Sequence, residues 1–321
     1  MDQLPSILVL LMGLSLLVLG GELLVRGSVA TALKARISPL IVGLTVVSFG
    51  TSAPELFTSL SAALNGSSNI AVGNIVGSNI ANIALILGIT ALVKPVLVER
   101  GILNRDAPLM ILASLAMWIV ARNALITSNE GSILLLAMAG FIGMMILYAH
   151  RERKSQTESA SDEVDAYGKL AEKPGYQLVG MILLGGVGLY FGSGWFVHGA
   201  QDMATWAGVS ERVIGLTVVA FGTSVPELVA SVIAAVRGHA AMALGNVIGS
   251  NLFNILLVLG ATATIRPLEV DPAILSWDIW WMIGLALALI PLALSKKIGR
   301  VKGAALVLLY IGYIATTWPT I

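Results

Sequence analysis

Two acids set inside apolar runs, one in each copy of a repeated motif, constrain this chain most. Residues 43–56 read GLTVVSFGTSAPEL and residues 215–228 read GLTVVAFGTSVPEL. Each copy carries one carboxylate, Glu55 or Glu227, directly after Pro54 or Pro226 and a Gly-Thr-Ser triplet. A carboxylate in the middle of a hydrophobic span is expensive to hold, so it marks a functional site by default. Two of them at equivalent places in two repeats point to one shared site. The offset of 172 between the acids also maps Ser78 to Ser250, Asn82 to Asn254, Pro95 to Pro267 and Asp106 to Asp278 without a gap.

The chain around these motifs is 57% hydrophobic and 12% charged, too apolar for a soluble domain with an ordinary surface. Ten apolar segments approach the ~20 residues needed to cross a bilayer. They are 6–26, 38–64, 70–93, 107–121, 131–149, 177–199, 211–236, 241–264, 275–294 and 303–319. The first lacks a basic stretch ahead of it and many spans follow it, so it reads as a membrane helix rather than a cleaved signal. The fourth is short unless it runs past Arg122, whose side chain can snorkel to the interface. The polar stretch 151–176 reads as a solvated, flexible cytoplasmic linker between two halves, 1–150 and 177–321, of five segments each. Five is odd, so the second half enters the membrane upside down. The expected fold is an all-α membrane protein of ten transmembrane helices in two inverted five-helix repeats. Inverted repeats are a transporter signature, with the site at their interface near the bilayer midplane.

With the N-terminus outside, all 19 basic residues except Arg122, Arg212 and Arg266 face inward. The positive-inside rule then puts both termini outside the membrane. There is no cysteine, which removes thiol and Cys-based metal chemistry, and a net charge of +1 implies no attraction to nucleic acid. No GxxxxGK[ST] loop for ATP occurs. No cofactor and no obligate protein partner are expected. Membrane lipid is the expected surrounding.

Ser48, Thr51, Ser52 and Glu55 are spaced i, i+3, i+4, i+7 and share one helix face; in the second copy these are Ala220, Thr223, Ser224 and Glu227. Pro54 has no N–H for the carbonyl of Gly50, and Pro226 none for that of Gly222. A freed carbonyl in lipid must line a cavity or coordinate something. Carbonyl, hydroxyl and carboxylate oxygens together are hard ligands, suited to Ca²⁺ or another hard cation. An ordinary proline kink would explain one copy, though not the paired acids.

A second motif follows each first one: GNIVGSNIANI at 73–83 and GNVIGSNLFNI at 245–255. Asn74, Ser78 and Asn82 form one stripe, repeated by Asn246, Ser250 and Asn254. Ser78, Asn82, Ser250 and Asn254 read as cation ligands or their immediate support. Asn79 and Asn251 lie to the side of that stripe and read equally well as interhelical hydrogen-bonding groups.

GTSxPE followed by GNxxGSNxxN, in two halves, resembles the sodium/calcium exchanger branch of the calcium/cation antiporter superfamily, most of all its short prokaryotic members. The resemblance covers nearly the whole chain. It implies Na⁺/Ca²⁺ antiport by alternating access in the inner membrane of a prokaryote, with ion sites built by the second, third, seventh and eighth helices. It implies that Ca²⁺ takes the carboxylates of Glu55 and Glu227 and the carbonyls of Thr51 and Thr223. Sodium would take Ser52, Ser224, Ser78, Ser250 and the carbonyls of Ser48 and Ala220, with Asn82 and Asn254 at the centre. Some family members carry Asp where this chain has Asn254, so its centre has fewer titratable groups. That also argues against potassium dependence. The resemblance further implies that the glycine-rich first and sixth helices slide against the rest.

One Ca²⁺ or two Na⁺ would neutralise two ionised glutamates, so competition for the same oxygens would couple the ions. A Ca²⁺/H⁺ antiporter would use the same acids, but the hydroxyl-rich positions favour sodium. A cation channel fits an inverted repeat less well. An intramembrane protease would need a Lys or His beside Ser52 or Ser224 or a pair of membrane Asp, and neither is present. Glu22 and Arg26 read as an i, i+4 pair. His198 reads as an interfacial residue, and His150 and His239 as solvated.

Overall fold

The computed structural model describes residues 4–99, 101–155, 164–207 and 220–317. The chain is built of helices: α1 (Leu4–Ala35), α2 (Pro39–Thr51), α3 (Ala53–Leu64), α4 (Ser68–Val93), α5 (Ile102–Ala121) and α6 (Ser128–Ser155). They are followed by α7 (Val164–Ala171), α8 (Gly175–Trp206), α9 (Ala220–Thr223), α10 (Val225–Val236), α11 (Ala240–Ile265), α12 (Ile274–Ala293) and α13 (Arg300–Thr317). Among the described residues, seven helices are long and apolar enough to cross a membrane. An eighth span is added if α2 and α3, bent by 43° at Ser52, count as one broken span. The first nine residues of the expected seventh segment, 211–219, lie outside the described residues, as do Arg100 and Arg212 and residues 215–219 of the second motif.

Element boundaries recur at the offset of 172. Ala53–Leu64 returns as Val225–Val236, and Ile102–Ala121 as Ile274–Ala293. Four two-residue strands recur with them: β1 (Val96–Leu97), β2 (Leu125–Ile126), β3 (Leu268–Glu269) and β4 (Lys297–Ile298). They pair across the halves, β1 with β4 and β2 with β3, both antiparallel. Each strand therefore bonds to the counterpart of its own neighbour at the offset of 172.

The motif-bearing helices α4 and α11 form the centre, with 78% and 94% of their apolar windows buried. Protein surrounds them on most sides, so their apolar residues find partners around the helix while the Asn/Ser stripe faces inward with them. The long helices α1 and α8 pack against each other antiparallel through glycine. A Cβ on Gly20 would lie 2.8 Å from Leu189 N, and one on Gly185 2.5 Å from Leu24 N. Only residues without a side chain allow backbones this close.

Three expectations need correction. The fourth segment does not lengthen past Arg122, which caps the helix end. It lengthens at its start by a π-helical turn, Ile102–Asp106, whose charges pair locally: Arg105 Nε donates to Asp106 Oδ1 at 2.5 Å, and its guanidinium lies 4.4 Å from the Tyr148 ring centre. The linker is not wholly a flexible loop, because α7 forms within it and Lys34 Nζ donates to the carbonyls of Ala171 (3.3 Å) and Lys173 (2.6 Å). His239 is buried rather than solvated. Gly238 adopts φ 99°, and this reversal returns the His239 N–H to the Ala234 carbonyl at 2.8 Å. The Glu22–Arg26 pair forms, and Arg237 joins it. His198 pairs with Asp202 at 3.4 Å.

Candidate functional site

The site begins at two breaks. Pro54 and Pro226 sit in the first turns of α3 and α10, after Ser52 (φ −83°, ψ 5°) and Ser224 (φ −91°, ψ 3°), neither of which is helical. Proline without an N–H fits a helix start, so the chain stops and restarts there. The restart brings Glu55 and Glu227 into the first turn, where the helix N-terminus favours negative charge. The carbonyl freed at Gly222 accepts from Ser193 Oγ at 2.6 Å, so this one is satisfied within the protein. The equivalent of Ser193 in the first half is Gly21, which has no hydroxyl to offer Gly50.

Both acids are buried, at 1% and 0% exposure. Each is held by the other half. Ser52 Oγ donates to Glu227 Oε1 at 3.1 Å, and Ser224 Oγ donates to Glu55 Oε1 at 3.4 Å. Ser224 Oγ also lies 3.2 Å from Ser78 Oγ, and Thr51 Oγ1 lies 3.5 Å from Ser250 Oγ. Thr51 Oγ1 donates to Asn246 Oδ1 at 3.3 Å, and Thr223 Oγ1 to Asn74 Oδ1 at 3.3 Å. Ser48 Oγ donates to the Gly43 carbonyl at 2.8 Å and lies 3.0 Å from that of Asn246. Its own carbonyl already accepts the Ser52 N–H at 2.9 Å. Ala220, the counterpart of Ser48, is the first residue of α9.

The central asparagines sit where α4 and α11 widen into π turns, Asn82–Ile86 and Asn254–Leu259. Such turns concentrate at functional sites. Asn82 Nδ2 donates to Asn251 Oδ1 at 3.2 Å, and Asn254 Nδ2 to Asn79 Oδ1 at 3.3 Å. Asn79 and Asn251 thus bridge helices. Glu55 Oε2, Glu227 Oε2, Asn82 Oδ1 and Asn254 Oδ1 are buried with no hydrogen-bond partner. Leaving a buried acceptor unpaired costs about 1–3 kcal/mol, and more when it is charged. All four are bare acceptor oxygens on residues that recur at the repeat offset, the type of oxygen a hard cation takes.

Some participants escaped the sequence reading. Asn74 Nδ2 donates to Ser59 Oγ at 3.0 Å, and Asn246 Nδ2 to Ser231 Oγ at 3.0 Å. Ser59 and Ser231 lie four residues after the acids and repeat at the same offset, a signal that was available. Met110 and Met282 accept from Asn251 and Asn79 and repeat likewise.

The family described as sodium/calcium exchanger protein has a sequence model that matches residues 5–149 and 177–318. The chain belongs to this family. The exchanger is 36% identical over 313 residues to inner membrane protein YrbG of Escherichia coli, covering 95% of this chain and 94% of that one. It is 32% identical over 343 residues to sodium/calcium exchanger MaX1 of Methanosarcina acetivorans, covering 96% and 97%. Its fold matches the sodium-calcium exchanger NCX_Mj with a TM-score of 0.81 at 30% identity, over 98% of this chain and 99% of that one. The exchanger is therefore an integral membrane antiporter of the cation/calcium type, not an enzyme.

Proposed function

We propose that this exchanger carries Ca²⁺ in one direction and Na⁺ in the other by alternating access, with ten transmembrane helices in two inverted repeats, 1–150 and 177–321, joined by the linker 151–176. The observation that carries this is the set of four partnerless buried oxygens on Glu55, Glu227, Asn82 and Asn254. Two carboxylates supply the charge for one Ca²⁺. The neutral oxygens of Ser52, Ser224, Ser78 and Ser250 and the carbonyls of Ser48, Thr51, Ala220 and Thr223 complete the ligands. Sodium, with half the charge, relies more on these neutral groups. Antiparallel packing of the equivalent helices α1 and α8 supports inversion, because a two-fold axis relating them must cross their long axes. Sharing of the site by both halves supports alternating access at their interface.

The name of the Escherichia coli relative supports an inner-membrane location, and the distribution of basic residues supports termini on the outer side. The deciding experiment is ⁴⁵Ca uptake into proteoliposomes with sodium and pH gradients varied separately. Calcium flux driven by an outward sodium gradient is expected. Flux that follows only the pH gradient would make the protein a Ca²⁺/H⁺ antiporter, and flux without a counter-ion would make it a channel.

A further inference from the structure

The central asparagines are each the end of a hydrogen-bond relay that terminates on sulfur. Asn254 Nδ2 donates to Asn79 Oδ1 at 3.3 Å, and Asn79 Nδ2 donates in turn to Met282 Sδ at 3.6 Å. In the other half, Asn82 Nδ2 donates to Asn251 Oδ1 at 3.2 Å, and Asn251 Nδ2 donates to Met110 Sδ at 3.3 Å. All six residues are buried. Met110 lies on α5 and Met282 on α12, two helices that carry none of the proposed ligands.

A carboxamide has an oxygen end and an amino end of nearly equal shape. Turned one way it offers a cation an acceptor. Turned the other way it presents two N–H groups that repel the ion. A carboxylate has no such ambiguity. A thioether sulfur accepts hydrogen bonds and cannot donate them. It therefore takes the amino end of Asn79, which turns the Asn79 oxygen toward Asn254. That oxygen takes the amino end of Asn254 and leaves Oδ1 as the free end. The same sequence from Met110 through Asn251 leaves Asn82 Oδ1 free. These are the two partnerless amide oxygens of the site.

We propose that Met110 and Met282 are positioning residues for ion binding, which set the polarity of the two relays so that Asn82 and Asn254 present oxygen, not nitrogen, to the cation. The inference rests on the ion site proposed above. It gives two buried methionines a role that packing alone does not require, since leucine fills nearly the same volume.

The test measures half-saturating Ca²⁺ for calcium/calcium exchange in proteoliposomes, with thermal unfolding in detergent alongside. The variants are Met282→Leu, Asn254→Asp and the two combined. Met282→Leu should raise half-saturating Ca²⁺ about three- to tenfold, the scale of one lost buried hydrogen bond. In the Asn254→Asp background both ends of residue 254 are oxygen whichever way Asn79 turns, so Met282→Leu should no longer raise half-saturating Ca²⁺. Met110→Leu with Asn82→Asp runs the same comparison in the other half and decides the matter if Asn254→Asp does not fold or bind calcium. No effect of Met→Leu with asparagine present, or an equal effect with asparagine and aspartate, would make the methionines ordinary packing and overturn the proposal. Failure of the ion site itself reads out separately, as full calcium exchange in Glu55→Gln or Glu227→Gln.

Discussion

Ser52 and Glu227 lie 175 residues apart in the chain and meet at 3.1 Å, while their counterparts Ser224 and Glu55 meet at 3.4 Å. Each half thus orients the acid of the other. A displacement of one half against the other would therefore disturb both carboxylates together.

Removing either acid should stop transport. Glu55→Gln and Glu227→Gln keep the shape and hydrogen-bonding reach of the side chain but remove one of the two charges. Each is expected to abolish sodium-driven ⁴⁵Ca flux while the protein elutes from size exclusion as wild type. Normal flux in either variant would remove that acid from the ion site.

The Ser52–Glu227 bond can be weighed by a double-mutant cycle. A hydrogen bond to a charged group is worth about 1.5–3 kcal/mol, so Ser52→Ala should weaken calcium binding roughly 10- to 100-fold. Combined with Glu227→Gln it should cost much less than it does alone, because its charged acceptor is gone. Full additivity in calcium-binding measurements would mean that the serine acts elsewhere.

Ser78→Ala and Ser250→Ala should separate the two ions. In the proposed site calcium would draw most of its binding from the carboxylates and sodium more from neutral oxygens. Each variant should raise the sodium concentration needed to drive calcium flux, with calcium/calcium exchange affected less. Equal loss in both modes, measured in the same vesicles, would assign the serines to support of the whole site.

In the proposed site protons and calcium share the carboxylate oxygens, so acid should act as a competitor. Lowering the pH should raise half-saturating Ca²⁺ while leaving the maximal rate at excess Ca²⁺ largely intact. Acid inhibition that no calcium concentration relieves would place the responsible group outside the ion site.

The α1–α8 contact should tolerate a methyl group at one glycine and not at its neighbour. A Cβ at Gly185 would meet the backbone of Leu24 at 2.5 Å, whereas one at Gly186 would meet nothing within 4 Å. Gly185→Ala should destabilise the protein by about 1–3 kcal/mol, as overpacking does, and Gly186→Ala should be neutral. Thermal unfolding in detergent compares them directly. Equal unfolding temperatures would mean that the two helices can separate without loss.

The acids, the repeat offset and the family were legible in the sequence because each is a local exception to an apolar background. Glu55 and Glu227 stand out by burial cost alone, and GTSxPE and GNxxGSNxxN repeat in the same order. What tertiary structure decided is which oxygen is used and which is left over. Nothing local says that Ser193 answers Gly222, that Ser52 serves Glu227 rather than Glu55, or that Met110 and Met282 accept hydrogen bonds instead of only filling space. The start of α5 was missed for the same reason, since Arg105 and Asp106 read as a loop until their pairing and the ring of Tyr148 are in place. Hydropathy reports the cost of each group taken alone. A buried polar group's true cost depends on partners that arrive from the other half of the chain only when it folds.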